Sequence, residues 1–203
     1  MKKRKLKVLI VDDEKGMCIA AHRVINDLEI QHETIEDDVG FEAEYVTSIN
    51  EFNQNKKHLY YDLYLLDFKL SDGSGLDLLD QIKKVNHDCL IILITAYATF
   101  ETAVQATKKG AFDFLAKPFT PTELRFTLNK ATQQLLLQRQ AKEFEEEKKK
   151  IRFEFISILS HELKAPISAV EGYLEIMKDR YEKIKKEDYE RFIKRSSDHE
   201  SIF

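Results

Sequence analysis

LKVLIVDD, residues 6–13, decides the fold, because an apolar run of strand length ends abruptly at two adjacent aspartates, Asp12 and Asp13. The pattern returns in YDLYLLD (61–67), where the apolar run ends at Asp67. Short continuous apolar runs bounded by polar residues are typical of strands that are buried on both faces, as in a parallel sheet covered by helices. The two stretches therefore predict strands of an α/β sheet with acids at their carboxyl ends.

Further strand and helix patterns alternate on either side of these stretches. Strands are also predicted at AEYVTS (43–48), CLIILIT (89–95) and FDFLA (112–116). Apolar residues at helical spacing lie between Met17 and Leu28, in GLDLLDQIKK (75–84) and in TFETAVQATKKG (99–110). This repeated β–α unit predicts an α/β fold with a five-stranded parallel sheet and helices on both faces. HETIEDDVG (32–40) has no clear period, and we expect a loop extension there.

Length, charge and cysteine content exclude several classes of protein. With 203 residues, 43% of them hydrophobic, the chain can hold one large domain or two small ones. A net charge of −4 offers no basic excess of the kind that nucleic-acid binding uses. The two cysteines form no disulfide framework or metal-ligand pattern, and no apolar run approaches the ~20 residues that span a bilayer. We therefore expect a cytoplasmic protein without membrane insertion.

The sequence changes character after Pro121. Glycine is absent from there until Gly172, and the only proline in that stretch is Pro166. Apolar residues recur at spacings of four and three, which is typical of a coiled coil, with one offset that resembles a stutter. A single helix over 122–178 would be about 80 Å long, more than a globular domain encloses, so we expect a partner chain to cover it. A break is expected near 185–186, followed by a second amphipathic helix.

Five polar residues are predicted to share one edge of the sheet. In an open parallel sheet, sites form at the carboxyl ends of the strands, where Asp12, Asp13 and Asp67 lie. Two carboxylates ~4 Å apart repel each other by about 4 kcal/mol at an effective dielectric constant of about 20. A magnesium ion, which suits a few carboxylates and water molecules, would remove that repulsion. Thr95 ends the fourth strand and Lys117 follows the fifth, so their hydroxyl and ammonium groups could hold the oxygens of a phosphoryl group.

These motifs closely resemble the receiver domain of two-component response regulators. The resemblance covers residues 5–133 and rests on VLIVDDE, LLDFKLSDGSGLDLL, ILITAYAT and GAFDFLAKPF. It implies a flavodoxin-like, doubly wound fold in which Asp67 is phosphorylated. The ligands of a Mg²⁺ ion that it implies are Asp12, Asp13, Asp67 and the backbone carbonyl of Lys69.

The same resemblance implies roles for residues of the last two strands. Thr95 and Phe114 would form a switch pair that responds to phosphorylation. Lys117 would contact the phosphoryl group, and Pro118 stands where the family usually has a cis peptide bond. A cognate histidine kinase or phosphotransfer protein is the implied phosphoryl donor.

A second resemblance concerns FISILSHELKAPISAV (155–170). A histidine can act as a nucleophile when a neighbouring carboxylate orients it or takes its proton, and Glu162 directly follows His161. The run S-H-E-L-K-A-P-I resembles the phosphoacceptor box of histidine kinases, over residues 150–195. It implies that His161 accepts the γ-phosphoryl group of ATP, that Glu162 acts as base, and that two helical hairpins form a homodimeric four-helix bundle.

The motifs together predict three segments. Residues 1–121 would form the receiver core, 122–150 the last receiver helix continued as a coiled-coil linker, and 151–203 a dimerisation hairpin with an incomplete second helix. No glycine-rich nucleotide loop is present, so ATP would bind only in a catalytic domain beyond Phe203. We therefore expect a histidine kinase regulated by its own receiver.

Two alternatives differ in class from that interpretation. A non-enzymatic phosphorelay protein would pass phosphoryl groups between Asp67 and His161. A downstream receiver is a further expected partner. A DNA-binding response regulator is weakly supported, because no helix-turn-helix pattern or basic stretch follows the receiver.

Overall fold

The computed structural model describes residues 4–30, 38–96 and 100–199. The chain forms two compact units, Met1–Lys142 and Glu143–Phe203. The division falls inside the segment 122–150 that the sequence predicts to be a linker.

The first unit contains a sheet whose strand order changes direction at its centre. The described strands are β1 (Arg4–Val11), β2 (Glu29–Ile30), β3 (Val39–Val46), β4 (Leu63–Asp67), β5 (Lys69–Leu70), β6 (Gly73–Ser74), β7 (Leu90–Thr95) and β8 (Asp113–Ala116). Six of them form one sheet in the order β2-β3-β1-β4-β7-β8, parallel throughout except for antiparallel β2. β5 and β6 form a separate antiparallel ribbon. The chain moves from β1 first to one side and then to the other, which creates a topological switch point.

The described helices are α1 (Lys15–Asn26), α2 (Ile49–Gln54), α3 (Gly75–Val85), α4 (Phe100–Lys108) and α5 (Pro121–His199), with a 3-10 turn at Lys56–Leu59. Their starts follow local chemistry. The Ser74 hydroxyl accepts a hydrogen bond from the Leu76 amide at 3.2 Å and so caps α3. Thr120 and Glu123 exchange hydrogen bonds at the start of α5, where proline occupies the first helical position.

Alternate strand residues feed two apolar clusters, one on each face of the sheet. On one face, Leu6, Val8 and Ile10 pack with residues of α1 and α5. On the other face, Leu9 and Val11 pack with residues of α2, α3 and α4. All five side chains are fully buried. Since burying one aliphatic side chain contributes about 1.5–3 kcal/mol, the two clusters account for the predicted two-sided sheet.

The structure confirms the five predicted parallel strands and adds three short strands, of which β2 joins the sheet and β5 and β6 form the separate ribbon. β2, β5 and β6 have two residues each, which is too short to leave a periodic signal in sequence. β3 begins at Val39, so the expected loop over 32–40 is wrong at its end; Val39 and Phe41 are buried, and β3 pairs along the whole length of β1. Residues 32–37 of that predicted loop lie outside the described residues.

Both cysteines are buried free thiols in the first unit. The Cys18 thiol donates to the carbonyl oxygen of Asp12 at 3.2 Å, and the Cys89 thiol donates to that of Asn86 at 3.1 Å. Burial raises the pKa of Cys18 to about 12 and that of Cys89 to about 11. Both thiols therefore stay protonated near neutral pH.

α5 belongs to both units, and its apolar residues differ between them. Leu124, Leu128 and Ala131 are at most 1% exposed and close one face of the sheet. Polar contacts continue to the end of the first unit: Arg139 pairs with Asp62, which precedes β4. Beyond Lys142 the described large apolar side chains are exposed. None of the described helices has an apolar stretch that could cross a membrane.

The expected break near 185–186 is absent, because α5 continues to His199 without interruption. The second helix of the predicted hairpin is therefore not separated from the first in the described residues. Neither glycine nor proline lies between 173 and 199, and the lysines and glutamates around 185 favour helix. Pro166 likewise lies inside the helix without ending it.

Candidate functional site

Two buried aspartates lie side by side at the carboxyl ends of adjacent parallel strands. Asp12 directly follows β1, Asp67 is the last residue of β4, and Val11 pairs in register with Leu66. Their residues are 0% and 6% exposed. Asp13 is exposed, and oxygens of Asp12, Asp13 and Asp67 lie within 4.8 Å of one another. The predicted convergence of the three acids is confirmed.

Lys117 places its ammonium group directly on this cluster. Its Nζ lies 2.7 Å from Asp67 Oδ2 and 2.8 Å from Asp12 Oδ2, and its side chain is only 11% exposed. Its backbone is fixed at the sheet edge, since the Lys117 amide donates to the carbonyl oxygen of Thr95 at 2.7 Å. The peptide bond between Lys117 and Pro118 is cis, as the sequence predicts.

The cluster is electrostatically unbalanced. Burial raises the pKa of Asp12, and the hydrogen bond and charge of Lys117 oppose that rise. Burial alone would lower the pKa of Lys117, but hydrogen bonds to Asp12, Asp67 and Glu14 raise it above its usual range. Asp12 Oδ2 is buried, and its near partner is the Lys117 ammonium at 2.8 Å. Three carboxylates within 4.8 Å of one another that share one ammonium fit a hard divalent cation such as Mg²⁺.

The backbone around Asp67 is held by its neighbours. Asp67 Oδ1 accepts a hydrogen bond from the Lys69 amide at 3.1 Å. The Phe68 amide donates to the carbonyl oxygen of Ile94 at 2.8 Å, and the Phe68 carbonyl oxygen accepts from the Gly75 amide at 3.0 Å. That the Lys69 carbonyl binds metal stays a prediction.

Gly75 is a residue of this site that sequence reasoning missed. A Cβ atom at Gly75 would lie 2.0 Å from the carbonyl oxygen of Asp67. The first turn of α3 thus approaches the end of β4 so closely that a side chain cannot fit. The signal was present in the GSG run before the helix, because glycine marks close backbone approach.

Glu14 is a second missed residue. Its Oε1 accepts a hydrogen bond from Lys117 Nζ at 3.0 Å, and its own amide donates to Asp12 Oδ1 at 2.9 Å. The sequence offered one indication, because Glu14 directly follows the two aspartates at the same strand end. Its side chain is 68% exposed, as an ordinary helix-start residue would be.

The predicted switch residues lie on adjacent strands, β7 and β8. Thr95, the last residue of β7, is 5% exposed, whereas Phe114 on β8 is 44% exposed. Both line a narrow cleft together with Phe68, Thr102 and Ala106. Phe114 therefore faces outward beside a space that opens toward Thr95.

His161 and Glu162 belong to the second unit, apart from the acidic cluster in sequence. Both are exposed on α5, and the preceding Ser160 hydroxyl donates to the Ile156 carbonyl oxygen at 2.8 Å. An exposed histidine is accessible to a phosphoryl donor. Their roles stay predictions.

Comparison with known families divides the chain in the same way. The model of the response regulator receiver domain matches residues 8–129, and that of the His Kinase A (phospho-acceptor) domain matches residues 151–201. Response regulator protein PilR of Pseudomonas aeruginosa is 49% identical over 65 residues, which are 32% of this chain and 15% of PilR. The chain thus spans a small part of that relative.

Solved receiver domains have the same fold as the first unit. The signal receiver domain of a LuxO repressor protein from Vibrio parahaemolyticus is 26% identical, with a TM-score of 0.56, and the match covers 68% of this chain and 97% of that one. The beryllofluoride-activated NtrC4 receiver domain dimer is 29% identical, with a TM-score of 0.54 over 64% of this chain and 98% of the other. Both likenesses extend over nearly the whole of the solved domain.

Proposed function

We propose that phosphorylation of Asp67 regulates phosphoryl transfer at His161. The chain belongs to the response regulator receiver domain family and continues into a His Kinase A (phospho-acceptor) domain. The fusion of these two domains places the protein in two-component phosphorelay signalling. The observation that carries the proposal is the contact of the Lys117 ammonium with both Asp12 and Asp67 at the ends of adjacent strands.

The reaction at Asp67 is a phosphoryl transfer to a carboxylate. One oxygen of Asp67 attacks phosphorus, and the donor's P–N or P–O bond breaks as the new P–O bond forms. The donor leaves as a histidine ring that takes up a proton, or as a carboxylate if it is an acyl phosphate. Lys117, 2.7 Å from Asp67 Oδ2, stabilises the negative charge on the transferred group.

The acids around Asp67 fit the divalent cation that receiver domains generally bind. When bound by Asp12, Asp13, Asp67 and the Lys69 carbonyl, Mg²⁺ would neutralise charge on the phosphoryl oxygens. Asp12 must be ionised to bind the cation, although burial raises its pKa. The Thr95 hydroxyl would donate to the phosphoryl group, and Phe114 would then turn into the cleft beside Thr95.

The second unit would carry a phosphoryl group on His161. Glu162 is adjacent and would take the ring proton as nitrogen attacks the phosphorus. The γ-phosphoryl group of ATP is the donor if the parent protein is a histidine kinase with a separate catalytic domain. If the protein is instead a phosphorelay shuttle, the donor is a phosphorylated receiver.

We also propose a parallel homodimer held by the second unit. His Kinase A domains imply dimerisation, and α5 presents exposed Ile151, Phe155 and Ile158 at spacings of four and three. Such a stripe on a helix is stabilised when a second helix covers it. A change in the packing register of this dimer, favoured by about 1–3 kcal/mol on phosphorylation, would suffice to couple Asp67 to His161.

Phosphorylation of the whole chain by acetyl phosphate tests the first step. With Mg²⁺, intact-mass measurement should show one added phosphoryl group, which Asp67→Asn should abolish. Asp113→Asn, an exchange at an aspartate paired with Lys130 elsewhere in the unit, is the matched control and should still react. No mass increase, where a known receiver reacts, contradicts the proposal.

Phosphotransfer assays separate the two candidate functions. A histidine kinase restored with its catalytic domain should label His161 from ATP, and inserting one residue after Gln138 should uncouple that labelling from Asp67, because it turns the helix by about 100°. A shuttle should exchange phosphoryl groups between Asp67 and His161 without ATP. Unaltered coupling after the insertion would exclude signalling through a continuous helix.

A further inference from the structure

The Lys117 ammonium has three N–H donors and three carboxylate partners. Nζ lies 2.7 Å from Asp67, 2.8 Å from Asp12 and 3.0 Å from Glu14. With a side chain 11% exposed, Lys117 keeps little access to water. The position of the ammonium group is therefore set by these three acids.

The proposed reaction changes two of the three partners. One carboxylate oxygen of Asp67 bonds to phosphorus, so the carboxylate becomes an acyl phosphate and the negative charge moves to the phosphoryl oxygens. Asp12 would bind the divalent cation that the three clustered aspartates fit. Glu14 takes part in neither change.

The backbone of Glu14 is anchored to the same site. Its amide donates to Asp12 Oδ1 at 2.9 Å, and its carbonyl oxygen accepts from the Cys18 amide at 3.1 Å in the first turn of α1. Its side chain makes no hydrogen bond that caps α1. The backbone of Glu14 is thus fixed beside the site, and its carboxylate accepts a hydrogen bond from Lys117 Nζ at 3.0 Å.

We propose that Glu14 is a positioning residue for phosphoryl transfer: it holds the Lys117 ammonium beside Asp67 while the other two acids change partners. This inference rests on the proposed function. Glu14 acts through Lys117 and has no contact with the reacting atoms. Because its side chain is 68% exposed, solvent screens the pair, and the effect is one of rate rather than of folding.

The rate of phosphorylation of the whole chain by acetyl phosphate, followed by intact mass, tests this inference. Glu14→Gln should slow the reaction about threefold to tenfold, which lies in the lower part of the range for coupling between contacting residues. Glu42→Gln removes the same charge from an exposed position within β3 and should leave the rate unchanged. Thermal unfolding of both variants should match the wild type.

A second measurement can be made without a metal ion and without phosphorylation. Exchange of the Lys117 ammonium protons with water, followed by NMR on the metal-free chain, should become faster by at least about threefold in Glu14→Gln and not in Glu42→Gln. In a Lys117→Arg background, Glu14→Gln should lose most of its effect on the phosphorylation rate.

The outcomes separate the two proposals. If the wild type takes up no phosphoryl group, the proposed function fails and the inference fails with it. If the wild type reacts while Glu14→Gln reacts equally fast and exchanges its Lys117 protons equally slowly, only the inference is overturned. An equal slowing by Glu14→Gln with and without Lys117 also overturns it, because Glu14 would then act by another route.

Discussion

The single helix α5 has two different relations to its surroundings in the two units of the chain. In Met1–Lys142, Leu124 and Leu128 are at most 1% exposed against the sheet. In Glu143–Phe203, residues of the same chemical kind such as Ile151 and Ile158 are about 60% exposed. Secondary structure is the same, so the difference lies in what covers the apolar side chains. The first half is stabilised within the chain, and the second half is the part that the proposed dimer would cover.

The ion pairs of α5 differ between the two units in the same way as its apolar side chains. In the first unit, Arg139 pairs with Asp62, whose other carboxylate oxygen accepts from the Lys7 amide at 2.7 Å. In the second unit, Lys148 and Glu145 are 3.9 Å apart with side chains more than 60% exposed. Surface pairs of that kind contribute little. The described pairs of Arg139 with Asp62 and of Lys142 with Asp88 thus hold α5 against the rest of the receiver unit.

Truncating one leucine or isoleucine in each half should give the largest difference. Leu128→Ala should lower the free energy of unfolding of the receiver unit by about 2–5 kcal/mol, because it opens a cavity in a closed core. Ile158→Ala should leave that value unchanged and weaken dimerisation. Urea unfolding and sedimentation at several concentrations measure the two effects. Equal destabilisation by both variants would remove the distinction between the halves.

Adding one methyl group should have opposite signs in the two units. Gly75→Ala forces a Cβ to within 2.0 Å of the Asp67 carbonyl oxygen and should cost about 1–3 kcal/mol, with loss of phosphorylation. At Gly172 nothing lies within 4 Å, so Gly172→Ala should stabilise the helix by about 1 kcal/mol. Thermal unfolding and intact mass after acetyl phosphate treatment measure both. A phosphorylatable Gly75→Ala chain would contradict the close-approach argument.

Two cationic side chains near the unit boundary should differ in how much they stabilise the protein, by less than in the comparisons above. Arg139→Gln removes the partner of a half-buried acid and should cost about 1 kcal/mol, with faster amide exchange in α5 beyond Leu136. Lys142→Gln, which removes an exposed pair with Asp88, should cost less than about 0.5 kcal/mol. Hydrogen exchange that is equally fast in both variants would show that Arg139 does not anchor the helix.

Removing one hydroxyl group in each unit should give the smallest difference in stability between the units. Thr132 is fully buried, and its hydroxyl has no hydrogen-bond partner, so Thr132→Val should stabilise the receiver unit by about 1 kcal/mol. The exposed Ser160 hydroxyl bonds to the Ile156 carbonyl oxygen, and Ser160→Ala should change stability by less than about 0.5 kcal/mol. Destabilisation by Thr132→Val would mean that the hydroxyl finds a partner in solution.

The sequence predicted the sheet and its acidic edge because both depend on features with a strong local signal. Continuous apolar runs identify buried parallel strands, and the ends of such strands meet at one edge, which brought Asp12, Asp67 and Lys117 together. Glu14 was missed because an exposed acid at a helix start is ordinary, and only its distance to Lys117 distinguishes it. The break expected near 185–186 was wrong because lysine pairs do not interrupt a helix.

Burial of the two native thiols makes this chain convenient for spectroscopic labelling. Cys18 and Cys89 are at most 2% exposed and protonated near neutral pH, so maleimide or nitroxide reagents, which require an accessible thiolate, should leave them unmodified. A cysteine introduced at an exposed position of the second unit, such as Glu171, would then be the preferred attachment point. Distances between two such labels in a dimer could be recorded before and after acetyl phosphate treatment without removing any native residue.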